Sequence, residues 1–207
     1  MKDYSQNGEQ KIILDYFRDK YNGRFLDIGA NDGITLSNVY ALALKGWNGV
    51  MCEPSPKAFD VLKRNYKELP HIELLNIAIG AKSGRYILKE SNSHLVRGDN
   101  NNISLLSTFE DSEVKRWKGT QVFTDVEVEV QTYKFAGLNL IDFDFISIDA
   151  EGWDFMILEQ IDLTNVSMLC IEWNGNKDMR AQILEYCRKF NMKIEWECLE
   201  NLILIKQ

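Results

Sequence analysis

The sequence predicts an α/β fold in which a mostly parallel, doubly wound sheet carries helices on both faces. Three observations lead there. Short apolar runs alternate with segments of helical period along most of the chain, the pattern of parallel strands joined by crossover helices. A strand, a glycine turn and a helix-like segment stand near the front, around Phe25-Leu26-Asp27-Ile28-Gly29-Ala30-Asn31-Asp32-Gly33. Four of the apolar runs end in an acid, at Asp27, Glu53, Asp149 and Glu172. Strand C-terminal ends are where such sheets hold ligands.

Taken in order, residues 7–21 read as a helix, with Ile12, Ile13, Tyr16 and Phe17 at helical spacing, Asn7 as cap and Asn22-Gly23 as stop. The first strand is 24–29, and a helix is expected from about 34 to 45, closed by Lys45-Gly46. The second strand is 49–53. Ser55-Pro56 then opens a helix with cap and first-turn proline in the favoured order. The third strand is 72–79. Strands at 85–89 and 125–133 follow, the second strictly alternating and so solvated on one face. Between them, residues 91–123 are rich in Ser, Asn, Asp and Gly, and are expected to form a lid or substrate loop. His94 in this loop is a candidate base, an ordinary surface histidine being the competing reading. Strands at 143–149 and 168–173, a helix at 177–190, and a terminal hairpin of 193–199 and 202–205 linked by Glu200-Asn201 complete the pattern. No linker or repeat divides the chain, so residues 1–207 are expected to form a single domain.

The glycine turn discriminates among ligands. It lacks the Gly-Lys-Ser/Thr ending of a phosphate-binding loop, and Asn31 stands where a dinucleotide fingerprint has its second glycine. Asp27 and Asp32 would repel a phosphate. A cationic ligand without phosphate fits better, and S-adenosylmethionine (SAM) has a sulfonium, an ammonium and a ribose diol. Backbone N–H groups at a following helix start would meet it. Glu53 lies 24 residues after Gly29 at the end of the next strand. An acid at about this spacing reaches ribose hydroxyls. Small residues at Ala78 and Gly80 could let an adenine ring lie against the backbone. The four strand-end acids should converge on one cleft, and crowded like charges are tolerated when a cation lies among them.

Net charge is −7 and 45% of residues are hydrophobic. That disfavours nucleic-acid binding, which needs a basic face, and a basic membrane-surface helix. The polar start is unlike a signal peptide, and no apolar run approaches membrane-spanning length. The four cysteines show no metal-like pairing, so reduced thiols and a cytoplasmic location are expected.

Several pieces together resemble the FkbM family of SAM-dependent methyltransferases: Ser5-Gln6-Asn7-Gly8-Glu9, Phe25 to Gly33, Glu53-Pro54, Asn76-Ile77-Ala78-Ile79-Gly80, and Ile146-Ser147-Ile148-Asp149-Ala150-Glu151-Gly152. The resemblance implies a Rossmann-like class I methyltransferase fold, a seven-stranded sheet with its last strand antiparallel. It implies SAM held by the glycine turn and Glu53, and the residues expected to bind the cofactor are Gln6, Asp27, Gly29, Ala30, Asn31, Gly33, Glu53, Pro54, Ala78 and Asp149. It also implies methyl transfer to hydroxyls of sugars or natural products. This chain departs from the family at Ser147, where a lysine is usual.

An alcohol needs a base as its oxygen attacks. Asp149 or Glu151 is the expected base, with Glu172 nearby; Asp149 could instead orient SAM or hold Mg²⁺. A nicotinamide-dependent reductase and a noncatalytic SAM or nucleoside-binding module are the competing functions.

Overall fold

The computed structural model describes residues 2–18, 22–91, 107–116 and 122–207. Its main sheet has seven strands: β1 Arg24–Ile28, β2 Asn48–Cys52, β3 Ile72–Leu75, β7 Phe145–Ile148, β8 Met168–Glu172, β9 Met192–Glu197 and β10 Asn201–Lys206. Their spatial order is β3-β2-β1-β7-β8-β10-β9. β10 runs antiparallel to both neighbours, and the other pairings are parallel. The chain reverses its winding between β1 and β7, the kind of switch point where open α/β sheets bind ligands.

Alternation along the strands divides the interior into two cores. Leu26, Ile28, Ile146, Ile148, Leu169 and Ile171 belong to one. Phe25, Phe145, Met168 and Cys170 belong to the other, with Ile13, Leu42 and Leu62 from the helices α1 Glu9–Phe17, α2 Tyr40–Leu44 and α3 Pro56–Asn65. Helices α5 Asp154–Leu158 and α6 Lys177–Arg188 cover the first core through Ile157, Ile183 and Cys187. Full burial of such side chains contributes roughly 1.5–3 kcal/mol each.

A second sheet has three strands, ordered β4-β6-β5. These are β4 Ala78–Ile79, β5 Gly84–Ser91 and β6 Phe123–Gln131. The expected alternation holds at the end of β6, where Val128 and Val130 are buried and Glu127 and Glu129 exposed. A short helix α4, Asp111–Arg116, falls within the expected 91–123 loop. His94 and the rest of residues 92–106 lie outside the described residues, as do 117–121.

Four expectations need correcting. The single strand at 72–79 is two: β3 ends at Leu75, and β4 crosses to the second sheet. Asn76 makes the break, its amide donating to the carbonyls of Glu53 (2.7 Å) and Pro54 (3.2 Å). The helix expected at 34–45 is only α2. Asp32 accepts the N–H groups of Ile34 and Thr35, Leu36 takes a left-handed φ of 57°, and Ser37 Oγ accepts from Tyr40 N–H. No helix N-terminus therefore adjoins the glycine turn. The first helix starts at Glu9 after a left-handed Gly8, and the Asn7 amide turns instead to Glu9 and Glu200. The terminal hairpin turns on residues 198–200, because Cys198 N–H bonds to Asn201 C=O at 2.9 Å and so closes the pair one residue earlier.

The four cysteines are free thiols. Among the described residues no helix is long and apolar enough to cross a membrane.

Candidate active site

A cavity of about 320 Å³ opens at the C-terminal ends of β1, β2, β7 and β8. All four strand-end acids line it: Asp27, Glu53, Asp149 and Glu172. So do Gln6, Gly29, Ala30, Asn31, Pro54, Ala78 and Glu151. Gly33 and Asp32 do not. Gly33 instead leaves room for Tyr66 and Leu62, whose side chains a Cβ would meet at 2.4 and 2.5 Å, and Tyr66 O–H donates to its carbonyl. The Asp32 carboxylate is spent on the turn it caps.

Gly29 is the hinge of the site. Its φ is +88°, and its N–H and that of Ala30 both donate to Cys52 C=O. This fastens the β1 turn to the end of β2. Asn31, also left-handed at φ 49°, directs its N–H to Glu53 Oε2 at 2.8 Å. Ser55 N–H holds Oε1 at 2.7 Å. Each carboxylate oxygen of Glu53 thus keeps a lone pair for a ligand.

Burial pushes Glu53 up to about 7. The N–H groups of Ser55 and Asn31 oppose the shift, while Asp27 and Glu90 add to it. Burial likewise pushes Asp27 up to about 7, and the Ser147 hydroxyl, its β7 partner in register, opposes. Asp149 is exposed to the open cavity. Desolvation, then Asp154, Asp27, Glu53 and Glu9, raise its pKa. A raised carboxylate pKa means the anions are under-solvated, so a cation brought among them is stabilised.

The loop after β7 is held from below. Asp154, nearly fully buried, accepts the N–H groups of Ala150 (2.8 Å) and Gly152 (3.1 Å). Glu151 is left-handed at φ 48°, and its side chain reaches the cavity. Carboxylate oxygens of Asp149, Glu151 and Glu172 lie within 4.8 Å of one another. Three hard oxygen donors at that spacing suit either a shared proton or a divalent cation such as Mg²⁺.

Several wall residues were not expected from sequence. Trp153 and Phe109 stack at 4.2 Å with planes 14° apart, and Trp153 Nε1 donates to Glu110. Thr108 pairs with Lys89 of β5 through both backbone bonds and donates its hydroxyl to Glu151 C=O at 2.9 Å. Residues 107–110 therefore tie the second sheet to the loop after β7. Trp153 directly follows the Asp-Ala-Glu-Gly motif, which was the available signal; nothing local marks Phe109, Asn174 or Glu200, which also line the cavity.

Comparison with known proteins agrees with this geometry. No curated protein matches the sequence. Solved structures match in fold. A precorrin-6y C5,15-methyltransferase from Geobacter metallireducens has a TM-score of 0.53 at 12% identity, covering 100% of this chain and 93% of its own. A putative RNA methyltransferase from Pyrococcus horikoshii has a TM-score of 0.52 at 11% identity, covering 96% and 80%. A SAM-dependent O-methyltransferase from Thermotoga maritima has a TM-score of 0.52 at 10% identity, covering 100% and 67%. The methyltransferase FkbM domain matches residues 27–194, from the first acid of the cavity to β9. The chain belongs to the FkbM methyltransferase domain family.

Proposed function

We propose that this protein transfers the methyl group of SAM to a hydroxyl oxygen of a sugar or small natural product. The carrying observation is the charge of the cavity. Six carboxylates line it (Asp27, Glu53, Asp149, Glu151, Glu172 and Glu200), with no Lys, Arg or His among the described lining residues. Such a wall suits a cationic donor and a neutral acceptor, and it disfavours phosphate-bearing acceptors, nucleic acid included.

The residues present fit SAM. Glu53 keeps free lone pairs suited to a ribose diol. Pro54, Ile77 and Ala78 offer apolar surface for a purine. Asp27, Asn31 and Gln6 stand where an amino-acid end could be met. Asn31 and Asn38 each carry a buried side-chain oxygen with no hydrogen-bond partner, a debt that donor groups of a ligand can relieve. When bound, SAM supplies an electrophilic methyl group.

The chain's own residues supply the rest. Asp149 or Glu151 accepts the acceptor's hydroxyl proton, with Glu172 beside them to share it. A raised pKa at Asp149 suits a group that must take a proton near neutral pH. The Trp153–Phe109 stack and residues 107–110 wall the cavity beside Glu151, which helps keep water out and fixes the angle of approach. The spacing of the three carboxylates favours one second reading, in which they hold Mg²⁺ and the acceptor is acidified that way.

Calorimetric titration with SAM and with NADH tests the donor, and a screen of sugar and polyketide alcohols for S-adenosylhomocysteine tests the reaction. Binding of NADH in place of SAM would sink the proposal. SAM binding without turnover on any acceptor would reduce the protein to a sensing module.

A further inference from the structure

Another buried acid stands behind Glu53. Glu90, on β5 of the second sheet, is 7% exposed and does not line the cavity. It accepts the hydroxyl proton of Ser55 at 2.5 Å. Ser55 is fully buried, and its backbone N–H is the group that holds Glu53 Oε1. Its Oγ also accepts from Ala58 N–H at the start of α3.

Capping α3 requires only the lone pair of Ser55 Oγ. The proton of that hydroxyl goes elsewhere, to a carboxylate from another sheet. That carboxylate adds to the repulsion on Glu53. A residue serving only packing would be apolar here and carry no such cost. The arrangement is explained if the direction of the Glu53 carboxylate matters. Asn31 fixes one oxygen and Ser55 the other, while Asn76 holds the Glu53 and Pro54 carbonyls. Glu90 fixes Ser55.

We infer that Glu90 is a positioning residue for Glu53, aiming its carboxylate at the ribose hydroxyls through Ser55. The inference rests on the SAM reading above. It also gives the second sheet a share in cofactor binding, since β5 carries Glu90 and its neighbour Leu88 lines the same cavity.

The test is a cycle of Glu90→Met and Glu53→Gln on the full chain, read by SAM affinity in calorimetry. Glu90→Met keeps the volume and removes the acceptor. It should weaken SAM at least tenfold in the wild-type background and by less than twofold when Glu53 is already Gln. Glu90→Gln keeps an oxygen for the Ser55 hydroxyl and should restore most of the affinity. Wild-type affinity in Glu90→Met, or the same loss in both backgrounds, would overturn the inference. Should Glu90→Met not fold, Ser55→Ala takes its place in the cycle with the same outcomes. Failure of the wild type to bind SAM would instead remove the functional proposal itself.

Discussion

The carbonyl oxygen of Asp149 lies 1.7 Å from where a Cβ on Gly29 would stand. The contact is backbone, so no rotamer can relieve it, and the left-handed φ of +88° adds its own penalty. Gly29→Ala must push β1 and the loop after β7 apart. We expect a loss of about 4 kcal/mol or more in denaturant unfolding, with SAM binding lost as well. A variant with wild-type stability would show that the two loops are not held this closely.

Asp27 is buried opposite Ser147 with its pKa raised from 3.8 to about 7. A raised carboxylate pKa means the folded state disfavours the anion. The contribution of Asp27 to stability is therefore greatest below pH 4, falls as pH rises towards 7, and stays low above it. Asp27→Asn removes this penalty. In denaturant unfolding the variant should be more stable than wild type at pH 8, by on the order of 2–4 kcal/mol, and the gap should close near pH 4. A gap independent of pH would rule out Asp27 ionisation as its cause.

The same acids set when a cation binds. Burial pushes both Asp27 and Glu53 up to about 7. SAM affinity should rise between pH 6 and pH 8, by about tenfold if one such charge governs. S-adenosylhomocysteine, which lacks the sulfonium charge, should show a shallower rise. Equal slopes would mean that the acids do not read the sulfonium.

Glu151→Gln should abolish turnover and leave SAM affinity intact, because the amide cannot accept the acceptor's proton at neutral pH. Turnover at the wild-type rate would remove Glu151 from the chemistry. Dialysis against EDTA separates the two readings of the Asp149, Glu151 and Glu172 cluster. We expect full activity afterwards; a loss restored by Mg²⁺ would assign the cluster to a cation.

Trp153→Phe keeps the stack on Phe109 and loses the bond to Glu110, at about 1 kcal/mol. Trp153→Ala loses both and should cost about 3 kcal/mol. In both, the acceptor KM should rise more than the KM for SAM. The reverse order would move the aromatic pair to the donor side.

What was legible in the sequence follows from locality. Gly29 and Glu53 sit at the ends of neighbouring strands separated by one crossover, so their spacing along the chain fixes their spacing in space. The acids at Asp149 and Glu172 were readable for the same reason. The departures arise where side chains override periodicity. Asn76 breaks an apolar run by bonding backward to Glu53, and Asp32 with Ser37 spends the N–H groups a longer helix would have used. Phe109 and Glu90 were invisible because their partners, Trp153 and Ser55, lie 44 and 35 residues away along the chain.

The sheet order has a consequence for how the chain is made. β10, the last strand in sequence, is inserted between β8 and β9, with Leu202, Ile203 and Leu204 almost wholly enclosed. As the polypeptide leaves the ribosome, β8 keeps a bare apolar edge until residue 206 has emerged. The parallel strands β1, β2, β3 and β7 can be in place while that edge still invites pairing with a neighbouring nascent chain. Pairing of β10 with β8 thus has to follow the synthesis of every other strand in this sheet, and until it happens that edge is open to aggregation.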